Sequence, residues 1–372
     1  MGSHVRILDR GVPGPGGFRP VRPPFRRQIW TDASPSTRTF TRPCVQPPGR
    51  LMSLTTERTA LCGRLADTFG ALTLIHGITG ARRASVATVI ALTAGALLAG
   101  GAFASGAQAA APPTPSITAK GGFVMNNGTA KALYSKAADT RRPTGSTTKI
   151  MTAKVVLAQK NLNLDSKVTI QKAYSDYIVS KNASSARLIV GDKVTVRQLL
   201  YGLMLPSGCD AAYALADKFG SGSTRAARVK SFIGKMNASA KSLGLKNTHF
   251  DSFDGIGSGS NYSTPRDLTK LASNAMKNST FRTIVKTKST KQKVTTKSGG
   301  YRYMAWDNTN PLLGGYSGAI GVKTGSGPTA KYCLVFAATR NGKTVIGTVL
   351  TSSSVSSRTS DAKKLLDYGF KK

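Results

Sequence analysis

The chain is 372 residues long, with 53 Lys and Arg against 16 Asp and Glu and a formal net charge of +37. Such a field draws a protein toward polyanions. The lysines are scattered through helical and hairpin segments, however, and no nucleic-acid-binding motif occurs, so nucleic acid is set aside as a partner. The only histidines are His4, His76 and His249, too few for a hydrolytic zinc site, which takes three protein ligands; neither a metal nor a cofactor is expected.

Residues 1–75 are rich in Pro, Gly and Arg with no hydrophobic period until about Ala60, and read as a non-native or disordered extension. A start codon assigned too early would explain them, with Met52 as one later start. Residues 76–109 read as an export signal. Arg82 and Arg83 precede the apolar stretch Val86 to Phe103, and Ala107-Gln108-Ala109 supplies a small-x-small cleavage site ahead of Pro112 and Pro113. Uncleaved, that stretch is near the length that spans a bilayer. The expected location is therefore extracytoplasmic, at the wall or membrane face.

Residues 110–372 carry the remaining 40 basic and 12 acidic residues, a net charge of +28, and are ample for one dry core. Gly122 to Met125 and Lys131 to Ser135, joined by Asn126-Asn127-Gly128, predict a hairpin. Ser146-Thr147-Thr148-Lys149 then opens an apolar run, Ile150 to Ala158, that suits a buried central helix. The segment from about 160 to 285 is mostly helical, with helices over Val196 to Leu205, Asp210 to Phe219 and Arg225 to Leu243. Strands follow near 318–324, 331–339 and 343–351, the last two around a tight turn at Asn341-Gly342, and a final helix starts near Ser360 as its N-cap. The fold class expected is α/β plus all-α: a five-stranded antiparallel sheet from about 117–145 and 300–372, flanked by helices, with an inserted all-helical lobe at about 146–299.

The chemistry rests on three stations. A serine hydroxyl is a poor nucleophile until a base or a shifted pKa activates it. Lys149 lies three residues after Ser146, on the same helical face; it can act as that base if burial and a second cation, such as Lys323, lower its proton affinity. Ser360 to Lys363 repeats the spacing in a polar setting and reads as a decoy. Ala319 to Val322 reads as a strand delivering Lys323-Thr324-Gly325, where the lysine can meet a carboxylate, Thr324 can hydrogen-bond it and Gly325 permits close backbone approach. Lys297-Ser298-Gly299 is the polar decoy for this triplet, in a solvated hairpin. Ser207-Gly208-Cys209 stands at a helix junction between the two.

These motifs, in this order, resemble the penicillin-interacting serine enzymes, and in particular the low-molecular-weight, actinomycete-type D-alanyl-D-alanine carboxypeptidases and DD-transpeptidases of peptidase family S11. Arg197 to Gly208, Asn247 to Phe250, Ser263 to Leu268 and Asn308 to Asn310 carry the same resemblance, which spans roughly residues 117–370. The resemblance implies a β-lactamase/penicillin-binding-protein-like fold with Ser146 as nucleophile, Lys149 as proton acceptor, and Ser207 as relay to the leaving amine. It further implies that Lys323 and Thr324 bind the substrate carboxylate, with Gly325 beside them, and that the N–H groups of Ser146 and Ser326 form the oxyanion hole. The family usually has Asn where this chain has Cys209; the thiol either holds substrate weakly or is a small buried helix residue. Cys209 and Cys333 are expected as free buried thiols, with a disulfide left open.

The implied substrates are peptidoglycan stem peptides ending in D-Ala-D-Ala, and β-lactams are implied as covalent inhibitors. Anionic wall polymers or the membrane surface suit the positive charge. The only glutamate is Glu57, so residues 110–372 lack the residue with which class A β-lactamases hydrolyse their acyl-enzyme. A β-lactamase, or a non-catalytic wall-binding protein of the same fold, are the alternatives. His249 reads as a packed loop residue, since no Gly-x-Ser-x-Gly elbow is present.

Overall fold

The computed structural model describes residues 112–372, so the extension and signal expected over 1–109 lie outside the described residues.

The first hairpin forms as expected, from β1 (Gly121–Asn126) and β2 (Ala132–Lys136). The short β3 (Arg142–Pro143) leads into a 3-10 turn, Gly145–Thr148, which runs straight into α1 (Lys149–Leu157). Seven of the nine α1 residues are buried, Lys149 among them. A helix buried on all sides belongs at the centre of a domain.

The middle of the chain supplies β4 (Lys167–Thr169), α2 (Lys172–Lys181), β5 (Lys193–Thr195), α3 (Val196–Met204), α4 (Cys209–Phe219) and α5 (Arg225–Ser242). The α3 start is set by a reciprocal capping box between Thr195 and Gln198. Beyond it come β6 (Tyr262–Ser263), α6 (Pro265–Ala275), α7 (Ser279–Lys286), β7 (Ser289–Thr295) and β8 (Tyr301–Asp307). The expected all-helical lobe has these helices, but it also holds a four-stranded sheet in the order β4-β5-β7-β8. Two of its strands are only three residues long, too short for alternation to show in sequence. Lys297 sits in the exposed β7–β8 turn, as its polar surroundings imply.

The chain closes with β9 (Ala319–Gly327), β10 (Lys331–Arg340), β11 (Lys343–Ser352) and α8 (Val355–Lys371). The five-stranded sheet runs β2-β1-β11-β10-β9, and β1 pairs antiparallel with β11, Gly121 opposite Leu350 and Asn126 opposite Val345. The first two and the last three of the described strands thus build one sheet. Alternation sends Phe123, Val335 and Ile346 into one core and Val124, Phe336 and Val345 into another, the second completed by Ala362, Leu365 and Leu366 of α8.

One boundary is corrected. The N-cap of α8 is Ser354, whose side chain accepts from Ser357 N at 3.0 Å, so Ser360 is an exposed residue within the helix. Asp361 does not mark a first turn. It accepts hydrogen bonds from Thr118 N, Thr118 Oγ1 and Ala119 N at 3.0, 2.8 and 2.8 Å, fastening the strand entry to the helix.

Candidate active site

Three elements meet at the N-terminus of α1. Gly145 takes φ +50, and a Cβ there would come within 2.7 Å of Ser326 O and 3.1 Å of Ser326 N. A Cβ on Gly325 would come within 2.8 Å of Thr144 O and 3.1 Å of Thr147 N. Two glycines therefore let the backbone of β9 lie directly against the turn that carries Ser146, bringing the N–H groups of Ser146 and Ser326 into one neighbourhood.

Lys149 Nζ lies 3.0 Å from Ser146 Oγ, 3.3 Å from Cys209 Sγ and 3.1 Å from the carbonyl oxygen of Asp254. Its side chain is fully buried. Three neighbours suit the three donors of an ammonium; they equally suit an amine with two donors and a lone pair facing the Ser146 hydroxyl. The arrangement can therefore take up the serine proton without moving heavy atoms.

Cys209 opens α4 and is buried, with Ser184 Oγ 3.5 Å from its sulfur. Burial pushes the thiol up from its ordinary pKa, against the pull of Lys149. Cys209 and Cys333 are both free, so no disulfide links them, and burial holds the Cys333 thiol at about 11.

Ser207 stands at φ +67 in the α3–α4 connection, and its buried Oγ has no hydrogen-bond partner among the described residues. It is next to the site but bonded neither to Lys149 nor to Lys323. Its carbonyl accepts from Ser184 Oγ at 2.6 Å. Asp210 fixes the same corner, accepting from Ala186 N at 2.8 Å, Ser185 Oγ at 2.8 Å and Leu188 N at 3.1 Å.

Lys323, on the edge strand β9, is 1% exposed, and among the described residues its Nζ donates only to Thr324 O, at 3.2 Å. Burial first, and then the charge of Lys149, hold it well below the ordinary lysine range. Thr324 Oγ1 shares a 2.6 Å hydrogen bond with Thr309 Oγ1, which gives the Asn308 to Asn310 segment a structural place beside β9. Ser326 is exposed and, with Gly145, Gly255, Ile256, Asn261 and Pro328, lines a cavity of about 280 Å³.

Sequence reasoning missed several supporting residues. Asp254, Ser184 and Asp210 carry no motif. Arg358 of α8 is 5% exposed and donates to Gly325 O at 3.2 Å and Cys333 O at 3.3 Å, bracing β9 against β10. The run of glycines at 255, 257 and 259 is the one sequence signal that could have pointed to the Asp254 loop. His249 is an exposed loop residue whose backbone pairs with Tyr262, and it makes no bond to the site.

A sheet built from the first two and the last three of the described strands, a buried helix opening on a Ser-x-x-Lys turn, and a buried Lys-Thr-Gly strand beside it define the class of penicillin-interacting serine enzymes. The D-alanyl-D-alanine carboxypeptidase family, peptidase S11, matches residues 107–354, and the chain belongs to it. It is 73% identical over 289 residues to a D-alanyl-D-alanine carboxypeptidase of Streptomyces strain K15, covering 77% of this chain and 98% of that protein. It is 32% identical over 255 residues to D-alanyl-D-alanine carboxypeptidase DacF of Bacillus subtilis strain 168, covering 68% of this chain and 62% of that protein. The crystal structure of the Streptomyces K15 DD-transpeptidase superposes with a TM-score of 0.69 at 77% identity, covering 70% of this chain and 99% of that one.

Proposed function

We propose that this enzyme is a penicillin-sensitive serine acyltransferase acting on peptidoglycan stem peptides that end in D-Ala-D-Ala. Ser146 Oγ attacks the carbonyl of the penultimate D-Ala while its proton passes to Lys149. The developing oxyanion is held by the N–H groups of Ser146 and Ser326; one such donor is typically worth about 3–4 kcal/mol. The C–N bond then breaks, and the proton returns from Lys149 through Ser207 Oγ to the amine of the departing D-Ala. Lys323 and Thr324 hold the terminal carboxylate, and Cys209 lines the substrate side of the lysine. Water or an amine takes the acyl group from Ser146, giving carboxypeptidase or transpeptidase turnover.

The observation that carries this reading is the 3.0 Å contact between Lys149 Nζ and Ser146 Oγ beside the buried Lys323 strand. The relay requires the unpartnered Ser207 Oγ to find its partners when substrate arrives. β-Lactams take the place of the stem peptide and stay on Ser146, because no glutamate exists in residues 110–372 to drive fast hydrolysis. The export features before residue 110 support action outside the cytoplasm on the wall, and the net charge of +28 beyond them supports contact with anionic wall polymers or lipid headgroups.

The test is intact-mass spectrometry after incubation with benzylpenicillin, followed over hours, with Ser146→Ala as control. A lasting adduct in the native chain, missing from the variant, is the expected result. An adduct that vanishes within minutes would make the protein a β-lactamase, and none at all would leave a non-catalytic wall-binding protein.

A further inference from the structure

We propose that Tyr177 and Asp254 are positioning residues for the candidate base, a hydrogen-bonded pair that holds a backbone carbonyl on Lys149 and thereby keeps its amine on Ser146. The inference rests on the reading of Lys149 as the proton acceptor.

Asp254 joins two functions in one residue. Its carbonyl oxygen accepts from Lys149 Nζ at 3.1 Å, while its carboxylate accepts from Tyr177 Oη at 3.0 Å and from Ile256 N at 2.9 Å. The side chain is fully buried, and among the described residues no Lys or Arg pairs with it. A buried carboxylate without a cation contact is costly unless hydrogen bonds satisfy it. The Tyr177 hydroxyl and the Ile256 amide are the groups that do so here.

Tyr177 is itself held. Its ring lies 5.4 Å from that of Tyr213 and 5.5 Å from that of Phe253, in tilted and edge-on contacts that fix its angle on α2. Burial, then the Asp254 charge, pushes its hydroxyl far above the ordinary tyrosine range, so it remains a proton donor. The segment is pinned on its other side as well. Thr152 Oγ1 donates to the Phe253 carbonyl, Asn261 Nδ2 donates to Thr148 Oγ1 at 3.1 Å, and Gly255, at φ +95, lies so close to Gly145 that a Cβ would come within 2.0 Å of its carbonyl oxygen.

Lysine has a flexible four-carbon stem, so helical spacing brings Lys149 near Ser146 without fixing the direction of its amine. The Asp254 carbonyl supplies one fixed acceptor opposite the serine. Catalytic groups lose large factors in rate when misplaced by about 1 Å, so loosening this acceptor slows proton transfer.

Tyr177→Phe removes one hydroxyl and keeps the ring in its aromatic cluster; Asp254→Asn keeps the backbone carbonyl but cannot both accept from Tyr177 and serve the Ile256 amide with the same oxygen. Stopped-flow acylation by a chromogenic cephalosporin separates initial binding from the limiting acylation rate. Each variant is expected to lower the limiting rate about tenfold, with initial binding and melting temperature close to native. The double variant is expected to be no slower than the slower single one, because both loosen the same Tyr177–Asp254 pair. Native acylation by Tyr177→Phe would overturn the proposal, as would additive losses in the double variant, or losses that follow the melting temperature. Ser146→Ala, run alongside, keeps the two readings apart: an adduct in that variant would overturn the assignment of the nucleophile, whereas its absence together with a native rate for Tyr177→Phe would overturn only the positioning role.

Discussion

The sulfur of Cys209 lies 3.3 Å from Lys149 Nζ, so a thiol faces the candidate base where the family usually presents a carboxamide. A thiol is a weak donor and a weak acceptor, and its contact adds little to what Ser146 and the Asp254 carbonyl already give the amine. Cys209→Ala is therefore expected to lower the second-order rate of penicillin acylation by no more than about tenfold, in line with roughly 1 kcal/mol for a neutral hydrogen bond. A loss beyond about a hundredfold would make the sulfur an essential part of the site.

Lys149→Ala removes the proposed proton acceptor and is expected to leave α1 otherwise intact. General-base groups contribute about 10²–10⁴ in rate, so acylation is expected to fall by about a thousandfold at unchanged far-ultraviolet circular dichroism. Acylation at the native rate would remove Lys149 from the mechanism.

Gly145→Ala tests the contact between the nucleophile turn and β9. The residue stands at φ +50, and its added Cβ would meet Ser326 O at 2.7 Å. The left-handed conformation alone costs an alanine about 1–2 kcal/mol, and the clash pushes the Ser326 amide away from Ser146. Acylation is expected to fall about a hundredfold, as for loss of an oxyanion donor, with a lower melting temperature. A variant with native stability and native acylation would show that the two amides do not act together.

Lys323 gives a pH prediction with a definite sign. Its folded-state pKa is lowered, chiefly by burial, so the protonated side chain destabilises the fold. That cost is complete below the folded pKa and shrinks as pH rises toward the unfolded value near 10.4. Lys323→Met is expected to raise the melting temperature at pH 7, by about 2–4 °C per kcal/mol gained, and to raise it less at pH 10. Its penicillin acylation is expected to fall at pH 7, because the substrate carboxylate loses the Lys323 amine proposed to hold it. Thermal melts of both proteins across that range decide the matter; a stability difference that grows with pH would contradict the assignment.

Much of this site is legible in the sequence because its parts are local. Ser146 and Lys149 meet through helical spacing, and Lys323, Thr324, Gly325 and Ser326 are consecutive along one strand. The pairing of the first hairpin with the last three strands was legible too, since short apolar runs bounded by turns cluster in those two parts of the chain. What stayed hidden was set by partners far away in the chain. Asp254 lies 105 residues from Lys149 and 77 from Tyr177, and nothing in its own neighbourhood says that its carbonyl points at an amine. The short strands β4 and β5 are held in a sheet by pairing with each other and with β7, so their three residues show no periodicity of their own. Ser360 looked like a helix cap because serine followed by aspartate suits a first turn; Ser354, six residues earlier, made the bond to the Ser357 amide instead.

The sequence by itself determined which chemical groups this enzyme has and their order along the chain: a serine and a lysine one helical turn apart, a polar junction, and a Lys-Thr-Gly strand. Side-chain type and local backbone preference are properties of short segments, so a linear reading reaches them. Only the tertiary structure decided which of these groups touch. It placed Cys209 on Lys149, left Ser207 Oγ without a partner among the described residues, buried Lys323 close to Lys149, and brought the Tyr177–Asp254 pair behind the candidate base. The reason is physical: hydrogen-bond partners and desolvation depend on distances across the folded core, and those distances follow from how helices and sheet pack.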